Sequence, residues 1–462
     1  MLDTIHDMST KPSIVKGTRD FLPDTMAKRN YIFDTIKASF QKYGFLPIET
    51  PSMEKTDTLL GKYGEEGDRL IFRILSNGDQ LKKADTNALA DENLPRFANS
   101  ISDKALRYDL TVPFARFVVQ NQNDLSFPFK RFQIQPVWRA DRPQRGRYRE
   151  FYQCDADVVG SDSLVYEIEL VQIFDEVLTN LQLTDFSIKI NNRKILSGIA
   201  EVCGEEENIV PITVAIDKLD KIGKEGVIKE LVNRGISEDA IQKIDPLFSL
   251  NGSNTEKLNS LKDFLADSEI GLKGIEELEY VINEASDLGL EKAKLEFEVT
   301  LARGLNYYTG AIFEVSANNV QIGSICGGGR YDDLTALFGL KGMSGVGISF
   351  GADRIYDVLE ELDLFPKSAT ISTKVLFINF GEAEQKQSMI YAKQLREAGI
   401  SCEVYPSSAK MKKQMKYGND RSIPYVVMIG SDELESGKIT YKNMESGEQQ
   451  TAELQSLITK LS

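Results

Sequence analysis

Five arginines fall within eleven residues of this 462-residue chain: Arg139, Arg142, Arg145, Arg147 and Arg149, with Gly146 among them to let the backbone turn. A guanidinium stays cationic and forks onto phosphate oxygens, so this density suits a polyphosphate or a nucleic acid. The next ten residues, Glu150 to Val159, alternate as a strand does, which puts Gln153, Asp155 and Asp157 on one face. An amide and two carboxylates beside an arginine-rich turn make a platform for a small cationic or amino-bearing ligand next to phosphate. An exposed hairpin with solvated charges fits the same spacing, and both readings stay open at this point.

Composition removes several alternatives. The chain has one histidine, His6, near its terminus. That excludes an HExxH metal site and argues against Ser-His or Cys-His catalysis. Cysteines 154, 203, 326 and 402 have no CxxC spacing and read as free thiols in a reducing compartment. With 41% hydrophobic and 27% charged residues the chain is ordinary globular material, long enough for about three domains. A net charge of −15 makes it a poor bulk binder of nucleic acid, so any such contact must use local basic patches. No apolar run reaches spanning length and no signal peptide is visible, so a cytoplasmic protein without a membrane partner is expected.

The elements that must position these residues follow in order. Apolar residues at helical spacing predict a helix from Asp24 to Tyr43, with Asp24 as its N-cap. Phe45 to Glu54 reads as extended chain that Pro47 and Pro51 confine to a sheet edge; it suits a dimer interface or a plain edge strand. A strand is expected around Arg69 to Leu75, then a mobile polar loop over 76–104. Arg107, Asp109 and Thr111 stand on alternate positions, and Arg131 to Arg139 runs as a strand into the arginine turn. Leu164 to Leu181 is an amphipathic helix, Ser187 to Asn191 a strand, and 193–292 a helical insertion. Farther on come RGLNYYTG (303–310), a three-glycine loop at 327–329, and GVGISFG (345–351) opening a helix that carries Arg354. None is a P-loop, and GVGISFG is a poor dinucleotide fingerprint because its third glycine is one position late. The glycines fit a backbone lying close under a flat ligand. From Lys374 onward strand and helix alternate, and a helix from Lys410 carries Lys412, Lys413 and Lys416. Such a run is a solvated face by default, but its local basicity in an acidic chain favours RNA.

Five of these stretches, in this order, resemble the histidyl-tRNA synthetase family of class II synthetases. The helix with FLPIETP is similar to motif 1, the dimerisation element. FQIQPVWRADRPQRGRYREFYQ resembles motif 2 and GISFGADRI resembles motif 3. RGLNYYTG and CGGGRYDDL resemble the two signatures peculiar to the histidine enzymes. The fold implied is α/β (α+β): an antiparallel sheet flanked by helices, a helical insertion and a C-terminal α/β anticodon-binding domain. The matching boundaries are 1–192 and 293–365 for the catalytic core, 193–292 for the insertion and 374–462 for the last domain.

The resemblance also implies roles. Asp109, Thr111 and Gln153 would hold the α-amino group of histidine, with Leu110 in the same set. Asp157 and Tyr308 would read the imidazole and Tyr307 would line the pocket. Arg139 and Arg303 would bracket the histidine carboxylate and the ATP α-phosphate. Arg147 and Arg354 would grip the outer phosphates, Phe151 would stack on adenine, and Asp141 and Tyr148 complete the ATP set. Asn306 departs from the aspartate of many members, which puts a negative charge there in doubt. A homodimer would join L-histidine to tRNA(His) with ATP and Mg²⁺, without a prosthetic group or a metal held by protein side chains alone. The substrate carboxylate is already a nucleophile, so activation needs positioning and charge stabilisation rather than a general base. Two rivals share the fold: a non-ligating regulatory subunit of histidine biosynthesis and an RNA-binding sensor. The histidine signature and the C-terminal domain argue against the first, the intact arginine set against the second.

Overall fold

The structure, a computed structural model, describes residues 11–302, 307–370 and 373–461. Grouped by spatial contact, the described residues form two units: Arg29–Phe365 with the segment up to Phe21, and Leu22–Lys28 with the chain from Pro366 onward. In the first unit the strands are β1 (Leu46–Pro47), β2 (Met53–Lys55), β3 (Arg73–Ile74), β4 (Lys104–Leu106), β5 (Phe129–Trp138), β6 (Glu150–Val159), β7 (Phe186–Asn192), β8 (Lys294–Phe297), β9 (Ala311–Ala317), β10 (Cys326–Tyr331) and β11 (Gly345–Gly351). The second unit holds β12 (Val375–Phe377), β13 (Cys402–Val404), β14 (Tyr425–Met428), β15 (Ile439–Asn443) and β16 (Gln449–Ala452).

The large sheet runs β1-β5-β6-β11-β10-β9-β7-β8. From β5 to β7 every pairing is antiparallel, and β1 and β8 join the two edges in parallel. Register sets the chemistry of its faces. Asp157 stands opposite Arg131 and Gly347, Asp155 opposite Gln133 and Ser349, and Gln153 opposite Gln135 and Gly351. Directly opposed residues share a face, so one side of the sheet gathers amides, carboxylates and glycines. The other side presents Phe132, Cys154, Ala156, Ile348 and Phe350, all buried. That side packs on the helices Pro23–Lys42 and Val165–Asn180: Phe350 meets Phe40 at 5.8 Å and Phe174 at 5.4 Å between ring centres. The expected mixed, largely antiparallel sheet flanked by helices is therefore present.

Several local expectations change. The first helix begins at Pro23, so Asp24 lies in its first turn, where a carboxylate suits the helix dipole, rather than at the cap. The stretch expected as a mobile loop at 76–104 holds a 3₁₀ turn and two short helices, Thr86–Ala90 and Leu94–Ile101, whose first amides are capped by Asp85 and Asn93. Around 69–75 only Arg73–Ile74 is strand, because Gly64–Arg69 is helical. Alternation across Arg107, Asp109 and Thr111 is not that of one strand: β4 ends at Leu106 and a helix starts at Thr111.

Between 193 and 288 the chain is helical, from Arg193–Val202 to Glu269–Leu288. Its starts carry local signals, such as the capping box of Ser253 and Glu256. Its apolar residues, Ile195 and Leu278 among them, join the cluster that packs under the sheet. In the second unit β13, β12 and β14 pair in parallel and β15 and β16 continue antiparallel. Val375, Phe377 and Val427 form its core with Ala392 and Leu395 of the helix Glu382–Glu397. Among the described residues no helix is long and apolar enough to cross a membrane.

Candidate active site

A cavity of about 920 Å³ lies over the polar face of the large sheet. At one end sit carboxylates. Asp157 is 1% exposed; the Tyr331 hydroxyl donates to its Oδ1 at 2.6 Å, and the fully buried Arg131 guanidinium lies 2.7 Å from its Oδ2. Gly347 makes the room, since a Cβ there would collide with the Asp157 carboxylate. Gly329 does the same for the Tyr308 ring. Gln153 donates to Ser349 Oγ at 2.9 Å. Asp109, also 1% exposed, accepts from the Tyr63 hydroxyl at 2.9 Å, the Val112 amide at 3.2 Å and the Tyr307 hydroxyl at 3.4 Å. The Val112 amide is one of those a helix start leaves unpaired, so the fold itself orients Asp109. Burial pushes the pKa of Asp109, Asp155 and Asp157 up, with Asp155 raised to about 7. Burial also holds the Tyr307, Tyr308 and Tyr331 hydroxyls protonated well past neutrality.

At the other end sit cations. Arg139 lies over the rings of Tyr108 at 4.2 Å and Phe151 at 5.2 Å and donates to the Tyr108 carbonyl at 3.1 Å. Arg354 donates to the carbonyls of Gly146 at 2.7 Å and Ser324 at 2.5 Å, which fixes its head in the wall. Burial lowers its pKa, and the nearby Arg147 and Arg139 lower it further. Three guanidinia held this close repel one another unless an anion joins them. Arg147 keeps half its side chain in solvent, 3.8 Å from Asp141. Tyr148 lines the cavity with its hydroxyl given to Asp357 at 2.9 Å.

The arginine turn therefore divides. Arg139 and Arg147 line the cavity, whereas Arg145 pairs with Glu361 and Arg149 braces the carbonyls of Asp141 and Lys16. Of the other expected site residues, Asp109, Thr111, Asp141, Gln153, Asp157, Tyr307, Tyr308, Phe151 and Arg354 also line it. Leu110 does not: its side chain is fully buried and only its carbonyl turns toward Arg131, at 3.4 Å. Arg303 and Asn306 lie outside the described residues.

A carboxylate-floored pocket joined to a guanidinium cluster, on a mixed sheet with a separate α/β unit, can be compared with known proteins. A family profile described as histidyl-tRNA synthetase matches residues 78–355, and one described as anticodon binding domain matches 374–462. The histidine–tRNA ligase of Christiangramia forsetii is 63% identical over 97% of this chain and 99% of its own, and that of Bacteroides fragilis 60% identical over 98% and 100%. The chain belongs to the histidyl-tRNA synthetase family. Among solved structures, the histidyl-tRNA synthetase from Nostoc sp. PCC 7120 aligns with a TM-score of 0.82 at 32% identity, covering 97% of this chain and 98% of that one. An ATP phosphoribosyltransferase regulatory subunit/histidyl-tRNA synthetase from Bacillus halodurans aligns at 0.69 with 20% identity over 89% of this chain, a likeness of fold alone.

Within this synthetase family frame, sequence reasoning missed four residues that shape the pocket: Tyr63, Arg131, Tyr331 and Ser349. Tyr331 sits inside CGGGRYDDL and Arg131 on the polar face of β5, so each carried a local signal. What the sequence did not carry was the pairing of strands that brings them to Asp157 and Gln153.

Proposed function

We propose that this protein is a histidine–tRNA ligase, which activates L-histidine with ATP to histidyl-adenylate and passes the histidyl group to the 3′ end of tRNA(His). The observation that carries this reading is the cavity in which buried Asp109, Asp155 and Asp157 adjoin Arg139, Arg147 and Arg354. Carboxylates suit an amino acid with cationic or N–H-bearing nitrogens, and the guanidinia suit a polyphosphate. Membership of the family supports the same assignment.

In this mechanism Asp157, braced by Tyr331 and Arg131, accepts a ring N–H, while Tyr308 serves the other ring nitrogen. Asp109, Thr111 and Gln153 hold the amino group. The histidine carboxylate then attacks the α-phosphorus in line; the new C–O–P linkage forms as the bond to pyrophosphate breaks. Arg139, with Arg303 placed by the family resemblance, stabilises charge at the α-phosphate, and Arg147 and Arg354 hold the leaving phosphates. Phe151 offers a face to adenine, with Asp141 and Tyr148 beside it. Among the described residues no cluster of three His, Cys, Asp or Glu side chains could hold a metal. Mg²⁺ would arrive bound to the ATP phosphates and neutralise charge on their oxygens. The protein works as a cytoplasmic homodimer through the β1 edge, where Leu46 is 57% exposed. The C-terminal unit engages tRNA.

Histidine-dependent exchange of pyrophosphate into ATP tests the reading. Exchange with histidine and charging of tRNA(His) are expected. Exchange with another amino acid while histidine is inert would overturn it, and binding without exchange would turn the assignment to a regulatory or RNA-sensing relative.

A further inference from the structure

Three acceptor oxygens along β6 have no hydrogen-bond donor among the described residues: Gln153 Oε1, Asp155 Oδ1 and Asp157 Oδ2. The last faces the Arg131 ion pair, without hydrogen-bond alignment. Asp155 is the exception in charge. It is 1% exposed, lines the cavity, and has Ser349 of β11 as a hydrogen-bond partner. Arg131 of β5 attracts it but is already engaged by Asp157, while Asp157 on its own strand and Asp109 before the helix Thr111–Asn121 repel it. Gln133, opposite on β5, spends its amide on Thr50 and Gln135, and the Tyr308 hydroxyl nearby is held protonated. A buried carboxylate with one oxygen unmet and no cation of its own is costly unless a ligand supplies the partner.

We infer that Asp155 supplies the charge that balances the α-ammonium group of the bound amino acid, beside the contacts of Asp109, Thr111 and Gln153. This rests on the reading of the cavity as a histidine site. Strand rise places Asp155 about 7 Å from both Gln153 and Asp157, between the residues assigned to the two ends of the substrate. Asp109, the other carboxylate at the amino end, already takes three donors from Tyr63, Val112 and Tyr307. Gln153 is neutral and its amide hydrogens face Ser349. Asp157 has its charge met by Arg131 and Tyr331. Among these residues Asp155 is the one that offers an uncompensated charge. Its pKa of about 7 means that it holds a proton below neutrality and ionises above, so ammonium binding strengthens as pH rises from 6 to 8.

Calorimetric titration of the full-length protein tests this with three ligands: L-histidine, L-histidinol, which keeps the ammonium and lacks the carboxylate, and imidazolepropionate, which lacks the ammonium. In Asp155→Asn, affinity for histidine and histidinol is expected to fall roughly tenfold or more, as for a lost charged hydrogen bond. Imidazolepropionate should bind as to wild type, which also shows that the pocket has folded. The gain in histidinol affinity from pH 6 to 8 should be steeper in wild type than in the variant; the ligand's own imidazole titrates alike in both. Asp155→Ser removes the same charge and should repeat the pattern. Equal losses for all three ligands, or an unchanged affinity for histidinol, would overturn the inference. If wild type activates histidine while Asp155→Asn is unaffected, this inference alone fails. If wild type does not activate histidine at all, the site reading itself has failed.

Discussion

Asp157 is braced by two neighbours of different kinds, the Tyr331 hydroxyl and the Arg131 guanidinium, and each can be removed separately. Asp157→Ala is expected to raise the histidine KM and lower kcat/KM roughly ten- to hundredfold, the worth of a charged hydrogen bond, while the ATP KM stays put. Steady-state exchange kinetics with each substrate varied in turn check this; equal losses for both would indicate general damage. Tyr331→Phe removes only the 2.6 Å donor. A net hydrogen bond is worth about 1 kcal/mol, so the histidine KM should rise on the order of fivefold. The sign with pH is definite. That hydroxyl lowers the Asp157 pKa against the upward pull of burial, so its loss raises it. The acid limb of kcat/KM for histidine should therefore move to higher pH, whereas a merely structural loss would lower the profile without moving it.

The large sheet works because its two faces obey opposite rules. On the cavity side Arg131, Gln133 and Gln135 of β5, Gln153, Asp155 and Asp157 of β6 and Gly347, Ser349 and Gly351 of β11 are polar or glycine, while Phe132, Cys154, Ala156, Ile348 and Phe350 between them face the other way into an apolar cluster. Phe40, fully buried, reaches Phe132 at 5.7 Å and Phe350 at 5.8 Å between ring centres. Phe132 lies beside Arg131 and Gln133 in the chain, and Phe350 beside Ser349. Phe40→Ala should cost roughly 3–5 kcal/mol of stability in urea denaturation, the range for truncating a core phenylalanine. Because the strands bearing the pocket floor rest on that ring, histidine should also bind less tightly. A variant of full stability would show that the helix Pro23–Lys42 does not set the sheet's position.

At the scale of the molecule, a net charge of −15 forces tRNA binding onto local basic surfaces. The helix Met411–Asp420 exposes Lys412 and Lys413, while Lys416 pairs with Asp420 at 2.5 Å and Arg421 with Glu403 at 2.8 Å. Substituting Lys412→Gln with Lys413→Gln should lower kcat/KM for tRNA charging. Its dependence on salt should flatten by about one unit of log–log slope for each phosphate left without its lysine. Histidine-dependent exchange should be unchanged, since it needs no tRNA. An unaltered salt slope would leave these lysines as a solvated face.

Much of this was written in local order. The alternation of β6 is a property of extended backbone, so the shared face of Gln153, Asp155 and Asp157 followed from residue types alone. The period of 164–181 likewise fixed a helix, and the ordered motifs fixed the family. Residues 76–104 misled because their helices are one or two turns long, too short for periodicity to register, and are set by caps at Asp85 and Asn93. Five clustered arginines looked equivalent in sequence; only the fold sends Arg139 and Arg147 to the cavity and Arg145 and Arg149 to bracing contacts. Tyr63 stands 46 residues from Asp109 and Tyr331 stands 174 from Asp157. Nothing local joins such pairs. Strand register and helix packing do, because they fix which distant side chains are left facing one another once the apolar face of the sheet is buried.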